Sequence, residues 1–129
     1  MTTDNPTIRS QTPSSFPLGS TPFPNYLIDE EMPRLSDTEW RIVCVLARQT
    51  LGWKGEEGRR KARDWLTHSQ LKERTGRESA AVCRAIQSLL DKRLIVVEDS
   101  DGKPLLTAQQ RQFKMGRLYF RLHVRVFSF

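Results

Sequence analysis

The stretch from Thr67 to Ile95 decides the fold, and it reads THSQLKERTGRESAAVCRAIQSLLDKRLI. It predicts a short helix, a tight turn at Gly76, a second and longer helix, and a strand that begins at Leu94. That order is typical of a helix-turn-helix followed by a wing. The second helix of such a unit is the part that enters a DNA major groove.

Two capping boxes mark the points at which helices begin. Ser36 and Glu39 form the first, because the serine hydroxyl can accept from the third backbone NH while the glutamate reaches back. Thr67 and Gln70 form the second in the same way. Together with glycine stops, these signals predict three helices, near residues 37–51, 68–75 and 78–92.

The first of these helices, which we expect to stop at Gly52, carries apolar residues on two sides. Because both sides need cover, we expect the segment Phe23–Ile28 to pack on the helix as an extended or short helical lead-in. Another chain is the alternative cover. One apolar side holds Trp40, Val43, Cys44, Ala47 and Leu51, and the opposite side holds Ile42 and Val45.

The region after Leu94 predicts strands. Residues 94–97 form a β-branched strand that enters a turn at 98–102, and residues 64–66 read as a short earlier strand. From Leu118 to Val126 apolar residues alternate with basic ones and Tyr119, which predicts a half-buried strand with a basic outer face. The connection, about 99–116, is an enlarged wing with a helical turn at 107–110. The predicted fold is mainly α with a small antiparallel β wing, a three-helix winged helix-turn-helix.

Composition divides the chain of 129 residues into a tail and one domain. Residues 1–22 are rich in Thr, Ser and Pro without apolar periodicity, so we expect a disordered tail before a domain at 23–129. Residues 1–35 hold two arginines against four acidic residues, a net charge of −2. The whole chain carries +6, so residues 36–129 carry +8. Such a basic domain attracts polyanions, of which nucleic acid is the commonest.

Several function classes are disfavoured. Cys44 and Cys83 lack the spacing of a disulfide framework or a zinc site. His68 and His123 are isolated, and there is no phosphate loop, so we expect no enzyme, catalytic residue, metal, cofactor or small-molecule substrate. Neither a secretory signal nor a membrane-spanning run is found, which predicts a cytoplasmic protein without a membrane partner.

The third helix supplies the candidate interface. Helical spacing places Val82, Ala85, Ile86 and Leu89 on the side of this helix that faces the core. The opposite, outward side is therefore free to approach a groove. That side is small or hydrogen-bonding near its N-terminal end, and Arg84 has both the reach and the donors for phosphate or guanine. The preceding helix, the turn and the wing tip would anchor the DNA backbone. The candidate DNA-binding residues are Ser69, Lys72, Arg77, Ser79, Ala80, Arg84, Gln87 and Lys103.

With these elements placed, the chain resembles the N-terminal, origin-binding domain of the phage replication protein O family. The resemblance runs from about Phe23 to Leu122. It implies a winged helix that recognises double-stranded DNA, the replication-origin binder of a phage or plasmid. It rests on segments 23–29, 35–41, 48–53, 75–76, 82–86 and 92–95, of which the Thr-Leu-Gly-Trp ending of the first helix is the most telling.

One departure favours a second hypothesis. Family members usually place a serine before basic residues at the start of the recognition helix, where this chain has Glu78-Ser79-Ala80-Ala81. An acidic residue suits a helix N-terminus but repels phosphate. The alternative is therefore a winged-helix interaction subunit of a larger, nucleic-acid-handling assembly with other protein subunits as partners. RNA binding and other roles stay open behind these two.

Overall fold

The computed structural model describes residues 19–52, 63–112 and 117–127. The predictions made for the tail at 1–18, for Trp53 and for the wing at 113–116 lie outside these ranges. Turns at Leu27–Glu31 and Met32–Arg34 precede the first helix, and a turn at Val124–Phe127 follows the last strand. In chain order the elements are α1 Asp37–Thr50, β1 Asp64–Leu66, α2 His68–Thr75, α3 Ser79–Asp91, β2 Ile95–Glu98, α4 Ala108–Gln112 and β3 Leu118–Leu122.

Both predicted capping boxes are present. The Ser36 hydroxyl accepts from the backbone N of Glu39, whose carboxylate accepts from the Ser36 backbone N at 2.8 Å. Thr67 and Gln70 make the same reciprocal pair at the start of α2. Each pair satisfies backbone donors that a helix start would otherwise leave unbonded. The three main helices accordingly begin and end within one residue of their predicted bounds.

The three strands form one antiparallel sheet with the order β1-β3-β2. Trp65 lies opposite Tyr119 on β3, and Val97 lies opposite Phe120 on the other side of that strand. The predicted hairpin partners β2 and β3 therefore pair, and β1 adds a third strand at the free edge of β3. A sheet of this order, with α2 and α3 inserted between β1 and β2, is the winged helix-turn-helix that the sequence predicts.

The apolar core lies between the sheet and the helices. Leu27 from the lead-in is fully buried (0 % exposed) in it and confirms that this segment packs on the domain. The main contributions from the helices and strands are Ile42, Val43, Leu46, Leu71, Val82, Ile86, Leu89, Ile95, Val97 and Phe120.

The apolar faces predicted for α1 are rotated from the true ones. Ile42, which the sequence pattern places opposite the main face, lies in the core, whereas Trp40 and Leu51 are only half-buried. The reason is that α1 contacts α2, α3 and β3 together, so its core side spans a wide arc. The lead-in supplies a second cover, but on the Trp40 side, where the Phe23 ring lies edge-on at 5.6 Å between centroids.

The last strand is shorter than predicted. Strand β3 ends at Leu122, and the chain forms a 3-10 turn in which the Val126 backbone N donates to the His123 carbonyl at 3.1 Å. The alternating pattern continues past Leu122, yet the turn buries Val126 while Val124 stays 65 % exposed. Arg125 then points back to the end of α3 and donates to the carbonyls of Lys92 and Arg93 at 2.9 and 2.8 Å.

Two glycines act in different ways. Gly76 ends α2 in the left-handed conformation (φ +68°), which favours glycine at a tight turn. Gly52, the predicted stop of α1, has no such backbone requirement. A Cβ there would lie 2.5 Å from the Arg48 carbonyl oxygen and 2.8 Å from the Thr21 hydroxyl. The side-chain-free position is therefore needed for close packing after α1.

The wing begins with a tight turn. The Asp99 carboxylate accepts from the backbone N of Asp101 and of Lys103, each at 2.9 Å, and places Lys103 at the exposed tip. The chain then returns along β2, where the Leu105 backbone N donates to the Val97 carbonyl at 2.8 Å. The predicted helical turn at 107–110 is confirmed as α4.

Candidate nucleic-acid interface

The outward side of α3 is exposed at Ser79, Ala80, Arg84 and Asp91, whereas Gln87 and Ser88 are half-buried. Ala80, Arg84 and Asp91 lie opposite the buried core residues of this helix. At its N-terminal end the surface consists of Ser79 and Ala80, whose small side chains let another molecule approach the backbone closely. This part of α3 has the shape that a groove-binding helix needs.

Arg84 is the cation at the centre of this surface. Its side chain is exposed and makes no hydrogen bond or ion pair with the described part of the chain. It borders a shallow groove of about 340 Å³ between α3 and the start of α1, lined also by Ser36, Thr38 and Ser88. The guanidinium is therefore available to a ligand seated against α3.

A carboxylate at the floor of that groove is already neutralised. Glu39 accepts from Lys92 Nζ at 2.8 Å and from the Ser88 hydroxyl at 2.7 Å, besides its capping bond to Ser36. Burial alone would raise the pKa of Glu39, but these hydrogen bonds lower it to about 2. Glu39 is thus ionised and paired, and it presents no free negative charge to a polyanion.

The turn between α2 and α3 is fastened to the first turn of α1. Arg41 Nη1 donates to the Thr75 carbonyl at 2.7 Å, and Arg41 Nε lies 3.0 Å from Asp37. Arg77 also donates to Asp37 and lowers the pKa of that carboxyl. Among the candidate residues, Arg77 is consequently placed at the turn but shares its charge with Asp37, whereas Lys72 and Ser69 of α2 are exposed.

The start of α3 differs from the capped starts of α1 and α2. Glu78 occupies the N-cap position, is exposed, and makes no side-chain capping bond. Ser79 instead meets His68 Nε2 of α2 at 2.9 Å. Burial, with the nearby charges of Lys72 and Arg111, lowers the pKa of His68 and so favours the neutral form of this ring. The Glu78 carboxylate faces solvent beside the candidate interface.

Gln87, like Arg77 and Ser79, has a side chain that is already bonded within the domain, and it makes three such bonds. Its amide nitrogen donates to Asp91 and to the Leu106 carbonyl, and its amide oxygen accepts from Arg111, all at 3.1 Å. Arg111 is only 7 % exposed. These bonds hold the segment around α4 against α3, so a ligand that used Gln87 would have to compete with them. Lys103 lies apart, at the wing tip.

The sequence model of the bacteriophage replication protein O family matches residues 16–107. The chain belongs to this family. Membership confirms the resemblance drawn from the sequence and places the chain in phage replication. No curated protein and no solved structure matches it.

Other features of the described residues bear on chemistry. Cys44 and Cys83 are free thiols, and burial raises the pKa of Cys44. Within these residues no group of three or more histidine, cysteine or acidic side chains is arranged to hold a metal ion. None of the described helices has the length and apolar composition to cross a bilayer.

The predicted DNA-binding residues do not include several arginines that lie on the sheet or hold segments of the fold together. Arg41 positions the turn between α2 and α3, and Arg111 positions the segment around α4. Arg63, Arg117 and Arg121 lie on the outer face of the sheet, where Arg63 and Arg117 stack over aromatic rings. Strand alternation on β3 marked Arg121 as outward, but the cross-strand partners of these residues could be found only once the register was known.

Proposed function

We propose that this member of the replication protein O family binds duplex DNA sequence-specifically through α3, as a replication initiator of a phage or plasmid. The observation that carries the proposal is the outward side of α3, where Ser79 and Ala80 allow close approach and Arg84 is unpaired within the described residues. Arg84 would read a guanine edge or bind a phosphate. Winged helices use the second helix of the helix-turn-helix in this way.

Backbone contacts would come from the elements around α3. Ser69 and Lys72 lie exposed on α2, and Arg77 lies in the turn. Lys103 at the wing tip would reach an adjacent groove. These residues would fix the protein on the duplex without reading its sequence, because hydrogen bonds to phosphates are the same at every base pair.

Gel shifts with a pool of duplexes, across a salt series, test this proposal. Arg84→Ala should weaken binding by about 1–3 kcal/mol and lower the sequence preference if Arg84 reads a base. Lys72→Ala and Lys103→Ala should weaken all duplexes alike and each reduce the salt slope by about 0.9, because one counterion fewer is released. Arg117→Ala, a charge-matched change on the outer sheet face, is the control and should leave duplex binding almost unchanged.

A protein-interaction subunit is the second candidate function, and Glu78 favours it. Its exposed, uncapped carboxylate at the leading end of α3 would repel phosphate. Under the DNA-binding proposal, Glu78→Ser should leave duplex affinity unchanged or raise it. If no duplex binds with salt-dependent affinity and Glu78→Ser disrupts a protein complex, the interaction function is the correct one.

The absence of catalytic activity and the cytoplasmic location stay predictions.

A further inference from the structure

The outer face of the sheet carries aromatic and basic side chains. In β3 the residues Leu118, Phe120 and Leu122 are buried, so Tyr119 and Arg121 point to the opposite face. Trp65 of β1 lies directly across from Tyr119 and shares that face. Both rings are half-buried. They form a two-ring surface on the side of the sheet away from the helices.

An arginine lies over each of these rings. The Arg117 guanidinium carbon is 4.3 Å from the Trp65 ring centroid, and that of Arg63 is 4.4 Å from the Tyr119 centroid. Such cation–π contacts hold a guanidinium in place over the ring. A guanidinium held in this way can stack under a base and still donate to a phosphate. The pairs therefore act as stacking positions that carry charge.

The acidic side chain on this face of the described strands is neutralised. Glu98 lies 3.2 Å from Arg63 Nη1 and 3.8 Å from Arg121 Nη2. Arg63 donates further to the carbonyls of Asp99 and Ser100, so it serves mainly to hold the face together. With one acidic residue against Arg63, Arg117 and Arg121, the face stays positive and complementary to a polyanion.

The pattern fits a single strand better than a duplex. Alternate residues of a strand lie about 6.8 Å apart, so Arg117, Tyr119 and Arg121 form a row whose repeat is comparable to that of an extended nucleic-acid strand. Aromatic rings bind exposed base faces, which a duplex conceals within its stack. A positive face with stacking rings is the combination that single-strand-binding proteins use.

We propose that the outer sheet face, formed by Trp65, Tyr119, Arg117 and Arg121, binds single-stranded DNA. The choice of DNA as the ligand rests on the proposed function. The assignment of the binding surface does not depend on that function, because the core separates the outer sheet face from the outward side of α3. Duplex binding at α3 and single-strand binding at the sheet can therefore fail independently.

Fluorescence anisotropy with labelled oligothymidylate and with a labelled duplex, on the full chain, tests this proposal. Trp65→Leu and Tyr119→Leu should each lower single-strand affinity about tenfold, a typical loss for one stacked base. Arg117→Ala, at an exposed position that cannot disturb the core, should also weaken it and reduce the single-strand salt slope by about 0.7. Circular dichroism melting verifies that each variant is folded.

Arg84→Ala is the matched control, and it should weaken the duplex while leaving oligothymidylate binding unchanged. The proposal is overturned if the full chain does not bind oligothymidylate at low salt, or if Arg117→Ala binds it as well as the unchanged chain does. It is overturned as well if Arg84→Ala removes both activities, since α3 would then bind both forms. Tighter binding of oligouridylate, lost in the same variants, would assign the face to RNA and contradict the choice of DNA.

Discussion

At the scale of single residues, two neighbours on α3 have opposite roles. Ile86 is 2 % exposed in the core, and Arg84 is exposed on the outward side. Ile86→Ala should lower the free energy of unfolding by about 2–5 kcal/mol, because it loses buried apolar contact and leaves a cavity. Arg84→Ala is the control and should change it little. Urea denaturation of both variants measures this, and equal losses would mean that the assigned helix face is wrong.

Glu39 predicts a pH dependence of stability. Its pKa in the folded chain is about 2, below the ordinary 4.5. Because this pKa is lowered on folding, the stabilisation that the ionised Glu39 carboxylate contributes is complete above about pH 4.5. It is lost as the pH falls from there toward 2. The difference in unfolding free energy between the chain and Glu39→Gln should therefore shrink over that range, by about 3 kcal/mol at most. A difference that stays constant with pH would contradict the ion pair with Lys92.

Residue roles divide into those that sequence can assign and those that need the fold. Helical spacing placed Ile86 inside and Arg84 outside because that inference uses one helix alone. The same spacing placed Gln87 outward, yet could not show that Arg111 and Leu106 would bind it, since they come from a segment that folds back on α3. Contacts between distant segments depend on the register and the turns, which no local pattern specifies.

At the scale of elements, Gly76 sets the turn of the helix-turn-helix. Its φ of +68° is a conformation that residues with a Cβ rarely adopt. Gly76→Ala should destabilise the domain by about 1–2 kcal/mol, and Gly76→Asn should cost less because asparagine tolerates this conformation. Thermal melting compares the two. Equal melting temperatures for both variants and the unchanged chain would show that the turn can relax.

Helix starts were predictable and the end of the last strand was not, for a physical reason. A capping box is a reciprocal pair of hydrogen bonds between two residues three positions apart. The pairs Ser36 with Glu39 and Thr67 with Gln70 can therefore be recognised from the sequence alone. Beyond the end of β3, the Arg125 guanidinium instead reaches the carbonyls of Lys92 and Arg93, just past the end of α3. The alternation of residues 118–126 could not reveal that interaction.

At the scale of the whole molecule, the order of elements was sufficient to predict a winged helix. Helix-turn-helix followed by two pairable strands leaves few ways to cover the apolar sides, which is why the fold followed from local signals. The candidate interface was predictable to the extent that it lies on α3 alone. The outer sheet face was not, because Trp65 and Tyr119 are brought together only by the pairing of β1 with β3.

Binding of duplex DNA by α3 is the central claim, and amide NMR spectra of the labelled chain during titration with a short duplex at low salt test it most directly. The account predicts that the amides of Ser79, Ala80 and Arg84 shift most, together with Ser69 on α2, while Tyr119 and Arg121 on the outer sheet face hardly move. Shifts confined to the sheet or to the turn at Val124–Phe127, with α3 unchanged, would contradict it.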